Sequence, residues 1–343
     1  MARRILWGSL VLTPLAIVSR FVFHLDETML FILAAVALIP LAWLIGEATE
    51  HAAEHTGPGV GGFLNASFGN APELIIALFA VADSLPDVVR GSLTGSVVSN
   101  ILLVLGAAMI AGGDGDVDAR SLRWQLFAVF GGVALLTIPS AFAWSGGSHE
   151  RHSLFILSIP ISAVLLFAYL GITWQNLRIH RAAERVEPAA HAWSLRRSLA
   201  VLAIATVATA LVSEILVHSL DHFGKAVGLN EFFIAVVIVA IVGNAAEHGG
   251  AVVIARRGNT TLATEIAITS SMQVAVFVAP AVCLLSWIVG RGLPLSFRVV
   301  EIVTMAAAAL FAAIVVADGK SRRWEGFLLI GVYAGVVVAY FVS

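Results

Sequence analysis

Long apolar runs broken by short polar stretches organise this chain. No Asp, Glu, Lys or Arg occurs between Arg123 and Glu150, between Arg151 and Arg178, or between Glu265 and Arg291. Each gap exceeds the roughly 20 residues that a helix needs to cross a bilayer. The pattern predicts eleven membrane-spanning helices, over residues 5–23, 28–48, 59–82, 86–111, 122–144, 152–175, 198–217, 230–255, 260–289, 297–317 and 324–342. Polar punctuation separates them at His24-Leu25-Asp26-Glu27, Gly112–Arg123, Ser145–Arg151, Asn176–Arg197 and Asp318–Arg323. Arg3 and Arg4 ahead of the first run resemble a signal peptide, but no small-residue cleavage site follows, so that run is read as a retained helix.

Composition agrees. Of 343 residues, 59% are hydrophobic and only 12% charged, against about 25% charged in a soluble domain, and the mean hydropathy is +0.95. A net charge of −2 offers no polyanion-binding surface, so nucleic acid is excluded as a partner and the lipid bilayer takes its place. The single cysteine, Cys283, permits no intrachain disulfide or thiolate metal cluster, and no cofactor is indicated. With the N-terminus placed inside, fourteen basic residues fall on the cytoplasmic side and six on the other. By the positive-inside rule the C-terminus is then outside.

The pattern also repeats. Gly69-Asn70-Ala71-Pro72-Glu73 returns 174 residues later as Gly243-Asn244-Ala245-Ala246-Glu247, and at the same shift Gly95-Ser96 meets Thr269-Ser270 and Ser99 meets Gln273. Two copies in register, each inside an apolar span, are an internal duplication. Residues 28–175 and 198–343 then form two units of five helices, joined by the basic linker 176–197, with 1–27 as a peripheral first helix. An odd number of spans per unit makes the second enter from the opposite face, the inverted repeat of many secondary transporters.

Glu73 and Glu247 fall near the middle of their spans, where an acidic residue costs about 2.5–3.5 kcal/mol on insertion scales. Taken twice at matching positions, that cost points to function; a protonated structural glutamate is the plainer reading for a lone carboxylate. Gly69 and Gly243 weaken the helices, and Pro72 removes an N–H, which leaves the Phe68 carbonyl as a candidate ligand. Asn70 and Asn244, Ser96, Ser99 and Asn100, and Ser270, Ser271 and Gln273 add side-chain oxygens. Calcium takes 6–8 oxygen ligands, which such a set can supply in large part. For any one serine, close packing between helices is an equal alternative. Two carboxylates in a poorly solvated site need neutralising by protons or by a divalent cation, and that competition is enough for proton antiport.

The stretches from Gly61 to Leu78 and from Gly243 to His248, with Gly95–Asn100 and Ser270–Gln273 as companions, strongly resemble the two α-repeats of the cation/proton exchangers, the Ca²⁺/H⁺ antiporter branch of the cation/Ca²⁺ exchanger superfamily. The resemblance implies eleven helices with the first peripheral, and makes Glu73 and Glu247 the cation-binding pair. It places Asn70, Asn244, Ser99 and Gln273 around a central cavity, with Ca²⁺ and protons as the transported partners. Gly46-Glu47-Ala48-Thr49-Glu50 looks like the family's acidic entry segment, which makes Glu47 and Glu50 a cytoplasmic cation vestibule; a solvated helix end is the alternative. Many relatives carry an acidic segment between the halves, whereas linker 176–197 has only Glu184 and Glu187 among five arginines. The short N-terminal tail resembles prokaryotic members and implies the inner membrane. His248, beside Glu247, is a candidate for proton coupling, or a hydrogen-bonded structural histidine.

Other readings are a Na⁺/Ca²⁺ exchanger of shared architecture, a channel, and a zinc metalloprotease. The last rests on His51-Ala52-Ala53-Glu54-His55, whose histidines lie one helical turn apart. It would leave the paired glycine-asparagine motifs unexplained. No residue pattern specifies an oligomeric state.

Overall fold

The computed structural model describes residues 2–145, 151–180, 193–290 and 292–342. Within them the chain is helical almost throughout. The elements are α1 (Ala2–Ser9), α2 (Leu12–Phe21), α3 (Glu27–Gly69), α4 (Ala71–Ala82), α5 (Pro86–Val98) and α6 (Leu105–Gly112), then α7 (Ala119–Trp144) and α8 (Arg151–His180). After the linker come α9 (Leu195–Val227), α10 (Glu231–Ile234), α11 (Ala240–Gly243), α12 (Ala245–Arg256), α13 (Thr260–Gln273), α14 (Ala279–Ser286), α15 (Val299–Val315) and α16 (Arg323–Val342). Three π-helical turns, Ser99–Val104, Ala235–Val239 and Val274–Val278, join α5 to α6, α10 to α11 and α13 to α14. A two-residue antiparallel pairing of Gly115–Asp116 with Lys320–Ser321 ties two loops. In the second of these loops the Lys320 N–H and the Arg322 guanidinium hold the Asp318 carboxyl below its ordinary range.

Local chemistry sets the boundaries. Asp26 caps α3 through the Thr28 N–H, Asp118 caps α7 through those of Arg120 and Ser121, Asn230 caps α10 and Asn259 caps α13. Pro86 opens α5, and Gly228, at φ +73°, closes α9 in a left-handed turn.

Among the described residues eight helices are long and apolar enough to cross a membrane, or nine when Glu231–Gly243 and Ala245–Arg256, bent by 56°, count as one span. This is fewer than the eleven expected, for two reasons. Val299–Val315, with 17 residues, is short for a span. The expected spans 28–48 and 59–82 are divided elsewhere: α3 continues for 43 residues, and α4 keeps only twelve. A straight helix of that length would reach about 65 Å, twice the bilayer core. Phe68 and Trp43 both pack against the cluster of Leu44, Ile45 and Ala48 with Leu202 and Ala205 of α9. The first expected helix is divided too, at Leu10–Val11.

The duplication is visible in the element boundaries. Ala71–Ala82 and Ala245–Arg256, and again Leu105–Gly112 and Ala279–Ser286, are each separated by 174 residues at both ends. The α5–α6 and α13–α14 spans form the interior, with 83% and 72% of their apolar windows buried, against 22% for α16 on the outside. Inside, small and polar residues line the contacts, the arrangement expected where lipid is as apolar as leucine. Residues 181–192 of the linker lie outside the described residues.

Candidate functional site

Both motif asparagines interrupt a helix. Asn70, between α3 and α4, has φ −95° and ψ 16°; Asn244, between α11 and α12, has φ −90° and ψ 11°. Each break starts a new helix whose first turn carries the glutamate, Glu73 or Glu247. Helix N-termini favour negative charge, so each carboxylate sits at the positive end of its own half-helix. The Phe68 carbonyl, which Pro72 cannot reach, accepts the Asn70 N–H instead of standing free.

The two glutamates reach across the duplication. A Cβ added to Gly243 would lie 3.6 Å from Glu73 Oε1, and one added to Gly69 would lie 3.8 Å from Glu247 Oε1. Each carboxylate is therefore housed against the motif glycine of the other half. Glu73 is buried, and its Oε2 has no hydrogen-bond partner among the described residues.

Polar side chains of both halves knit the surroundings. Asn70 Nδ2 donates to Gln273 Oε1 at 2.7 Å, and Asn244 Nδ2 donates to Ser96 Oγ at 2.7 Å and to the Ala240 carbonyl at 2.8 Å. A carbonyl only accepts, which fixes the Asn244 amide and turns its Oδ1 towards Asn100. Asn100 Nδ2 then donates both hydrogens, to Asn244 Oδ1 at 3.0 Å and to Ser270 Oγ at 2.8 Å, while its Oδ1 accepts from His248 Nε2 at 2.9 Å. Ser270, with its oxygen accepting from Asn100, gives its own hydrogen to Glu247 Oε2. The proton of His248 is thereby assigned to Nε2.

The structure thus brings together Glu73, Glu247, Asn70, Asn244, Ser96, Ser270, Gln273 and His248. Ser99 turns its hydroxyl back to the Ser96 carbonyl of its own helix, at 3.4 Å. Glu47 and Glu50 stand apart on α3, Glu50 exposed and Glu47 3.7 Å from His51. Asn100 was legible only as one oxygen among several; fully buried and bonded to three residues of the second half, it is the hub of the network. Its type and position gave no signal for that role.

No group of three or more His, Cys, Asp or Glu side chains that could hold a metal ion occurs among the described residues. The alternative zinc site of a protease does not form among the described residues: His55 Nε2 is taken by the Trp193 carbonyl at 2.5 Å, and His51 lies under the Trp193 ring, 4.7 Å between centroids. At the central site a cation would rely on two carboxylates with neutral amide, hydroxyl and backbone oxygens, a donor set suited to a hard divalent ion.

Comparison with known proteins decides the family. Residues 27–177 and 197–342 match the family described as sodium/calcium exchanger protein. The chain is 36% identical over 342 residues to a Ca²⁺/H⁺ antiporter of Bacillus subtilis, covering 96% of each. It is 33% identical over 363 residues to one from Aphanothece halophytica, covering 98% of this chain and 96% of that one. The chain belongs to the Ca²⁺/H⁺ antiporter family of the cation/Ca²⁺ exchanger superfamily. The crystal structure of the Ca²⁺/H⁺ antiporter protein YfkE superposes with a TM-score of 0.83 at 34% identity, over 99% of this chain and 100% of that one. The family match begins at residue 27, which leaves the first helix outside it. Membership makes the protein a transporter rather than an enzyme, which removes the protease reading.

Proposed function

We propose that the protein is a secondary active Ca²⁺/H⁺ antiporter that exports Ca²⁺ from the cytoplasm by alternating access, with Glu73 and Glu247 as shared cation and proton carriers. One observation carries this reading: two acidic side chains from duplicated half-helices, each packed on the other half's glycine, with neutral oxygens around them. Such a pair is tolerable in a poorly solvated site only when something positive accompanies it. Calcium entering from one face displaces protons, and protons arriving from the other displace calcium. Asn70, Asn244, Ser96, Ser270 and Gln273 orient or complete the coordination shell, and His248 shares in proton coupling. Ser99 lies one turn away. Glu47 and Glu50 gather cations at the cytoplasmic mouth.

The finer architecture belongs to the same proposal: eleven spans, with 1–27 peripheral, 28–175 and 198–343 as two inverted units and 176–197 as the linker. Helix directions support the inversion. Trp144, at the end of α7, donates to the Phe297 carbonyl just before α15, so those two helices run in opposite senses. Likewise α5 begins beside Arg298, whereas α13 begins beside Asp116, at the far ends of those helices. The excess of arginine near Arg120, Arg256 and Lys320 supports a cytoplasmic N-terminus and an outward C-terminus in a prokaryotic inner membrane.

The test is proton-driven ⁴⁵Ca²⁺ accumulation in everted membrane vesicles. Glu73→Gln and Glu247→Gln each reduce it at least about 100-fold, while near-normal transport by either variant refutes the mechanism. Ca²⁺ flux that follows a Na⁺ gradient and ignores a pH gradient would select the Na⁺/Ca²⁺ exchanger instead.

A further inference from the structure

Arg298 precedes α15 in the second half, and its guanidinium reaches into the first. Its Nη2 donates to Asp87 Oδ2 of α5 at 3.0 Å, its Nε lies 3.8 Å from Glu301 Oε1, and its Cζ stands 5.0 Å over the Phe232 ring of α10. Asp87 also pairs with Arg90, one turn along α5. Arg90 returns to the second half through Glu301 Oε2 at 3.7 Å and the Ser296 carbonyl at 3.4 Å. Four charges of alternating sign therefore close a ring between α5 and α15, with Glu301 fully buried at its base.

Between this ring and the carboxylates, α5 is pressed onto the backbone of α10 and the π turn that follows. A Cβ added to Gly91 would lie 2.9 Å from the Phe232 carbonyl oxygen, and one added to Gly95 only 2.1 Å from that of Val236. The next residue, Ser96, already bonds Asn244. Ring, glycine seam and site thus follow one another along α5. A cavity of about 560 Å³, lined in part by Asp87, Asp221, Glu231 and Arg298, lies against the ring.

The opposite face lacks this arrangement. At the 174-residue shift, Thr261 and Thr264 stand for Asp87 and Arg90, and Glu265 and Thr269 for Gly91 and Gly95. Thr261 Oγ1 makes a neutral hydrogen bond to the Asp116 carbonyl at 3.1 Å, and among the described residues no ion pair joins α13 to α7.

We propose that Arg298 is the latch of the outward face: a positioning residue that clasps α5 to α10 and α15, and that must release Asp87 before Glu73 and Glu247 open to that side. The proposal rests on the antiporter reading, because only alternating exposure needs a releasable seal. The Asp87 and Arg298 side chains are 39% and 41% exposed. A pair so solvated is weak enough to break and remake, while the buried Glu301 keeps Arg90 as its companion.

The test places spin labels at the exposed positions Asp83→Cys and Val299→Cys in a Cys283→Ala chain, in lipid nanodiscs. Electron–electron resonance then reads the separation of the connection leading into α5 from the start of α15. The parent chain gives one dominant short distance. Arg298→Gln and Asp87→Asn each raise the population of a longer distance roughly tenfold, Arg298→Lys returns most of it, and the double variant adds little to either single one. High salt opens the parent in the same direction by screening the half-exposed pair, which covers the case of a neutral variant that fails to fold. Unchanged distances in folded neutral variants and in high salt overturn the latch. Loss of Ca²⁺ flux in the parent would instead count against the antiporter reading and leave the distances to be judged separately.

Discussion

Glu73 and Glu247 occupy the same turn of duplicated half-helices, yet their carboxylates are held differently. Glu247 accepts from Ser270, which Asn100 orients, and Asn100 also holds the neighbouring His248. At the 174-residue shift Leu74 stands for His248 and Val274 for Asn100, and the Oε2 of Glu73 is left without a hydrogen-bond partner among the described residues. Backbone symmetry thus brings two acids to one place, and side-chain asymmetry gives them different freedom. Glu247 is fixed in a polar frame, and Glu73 keeps an oxygen without a hydrogen bond among the described residues, the one that the proposed mechanism offers to an arriving ion.

The comparison breaks most severely at the seam. Gly95→Val drives a side chain into the Val236 carbonyl, whereas Thr269→Val at the matching position loses only the bond to Gln125. The first costs about 3 kcal/mol or more of stability and the second about 1 kcal/mol, which thermal unfolding of the purified proteins separates. Next comes the hub. Asn100→Leu strands Asn244, Ser270 and His248 together and raises the Ca²⁺ KM of vesicle transport roughly tenfold, while the same measurement on Val274→Leu moves little. The smallest difference lies between the two serines. Ser270→Ala removes a hydrogen bond to a carboxylate and Ser96→Ala one to an amide. The KM rises about tenfold for the first and about threefold for the second; equal effects would mean that the two frames are equivalent after all.

Much of this was legible in advance because insertion into lipid restricts what a sequence can hide. Charge-free runs marked spans, and the cost of an acid at mid-depth marked Glu73 and Glu247. The shift of 174 residues reappears in the ends of α4 and α12 and of α6 and α14. Other features left no trace in residue type. The expected spans 28–48 and 59–82 fall partly within one element, Glu27–Gly69, while the second half breaks at Gly228–Asn230. The π turns at Ser99–Val104 and Val274–Val278 carry residues that suit an α-helix as well, so nothing distinguished them from one. Asn100 was one polar residue among many until Asn244, Ser270 and His248 were found around it. The ring of Asp87, Arg90, Arg298 and Glu301 joins residues more than 200 positions apart, and no spacing along the chain pairs them.

The reciprocal seating of each acid on the other motif's glycine has a consequence for assembly. If the proposed site is the ion's, neither half of the chain owns a complete seat, since the floor under each carboxylate is built by the opposite half. Cut within the linker and expressed as two fragments, the polypeptide would carry no cargo until the pieces found one another again, and recovery of flux would then report their reunion.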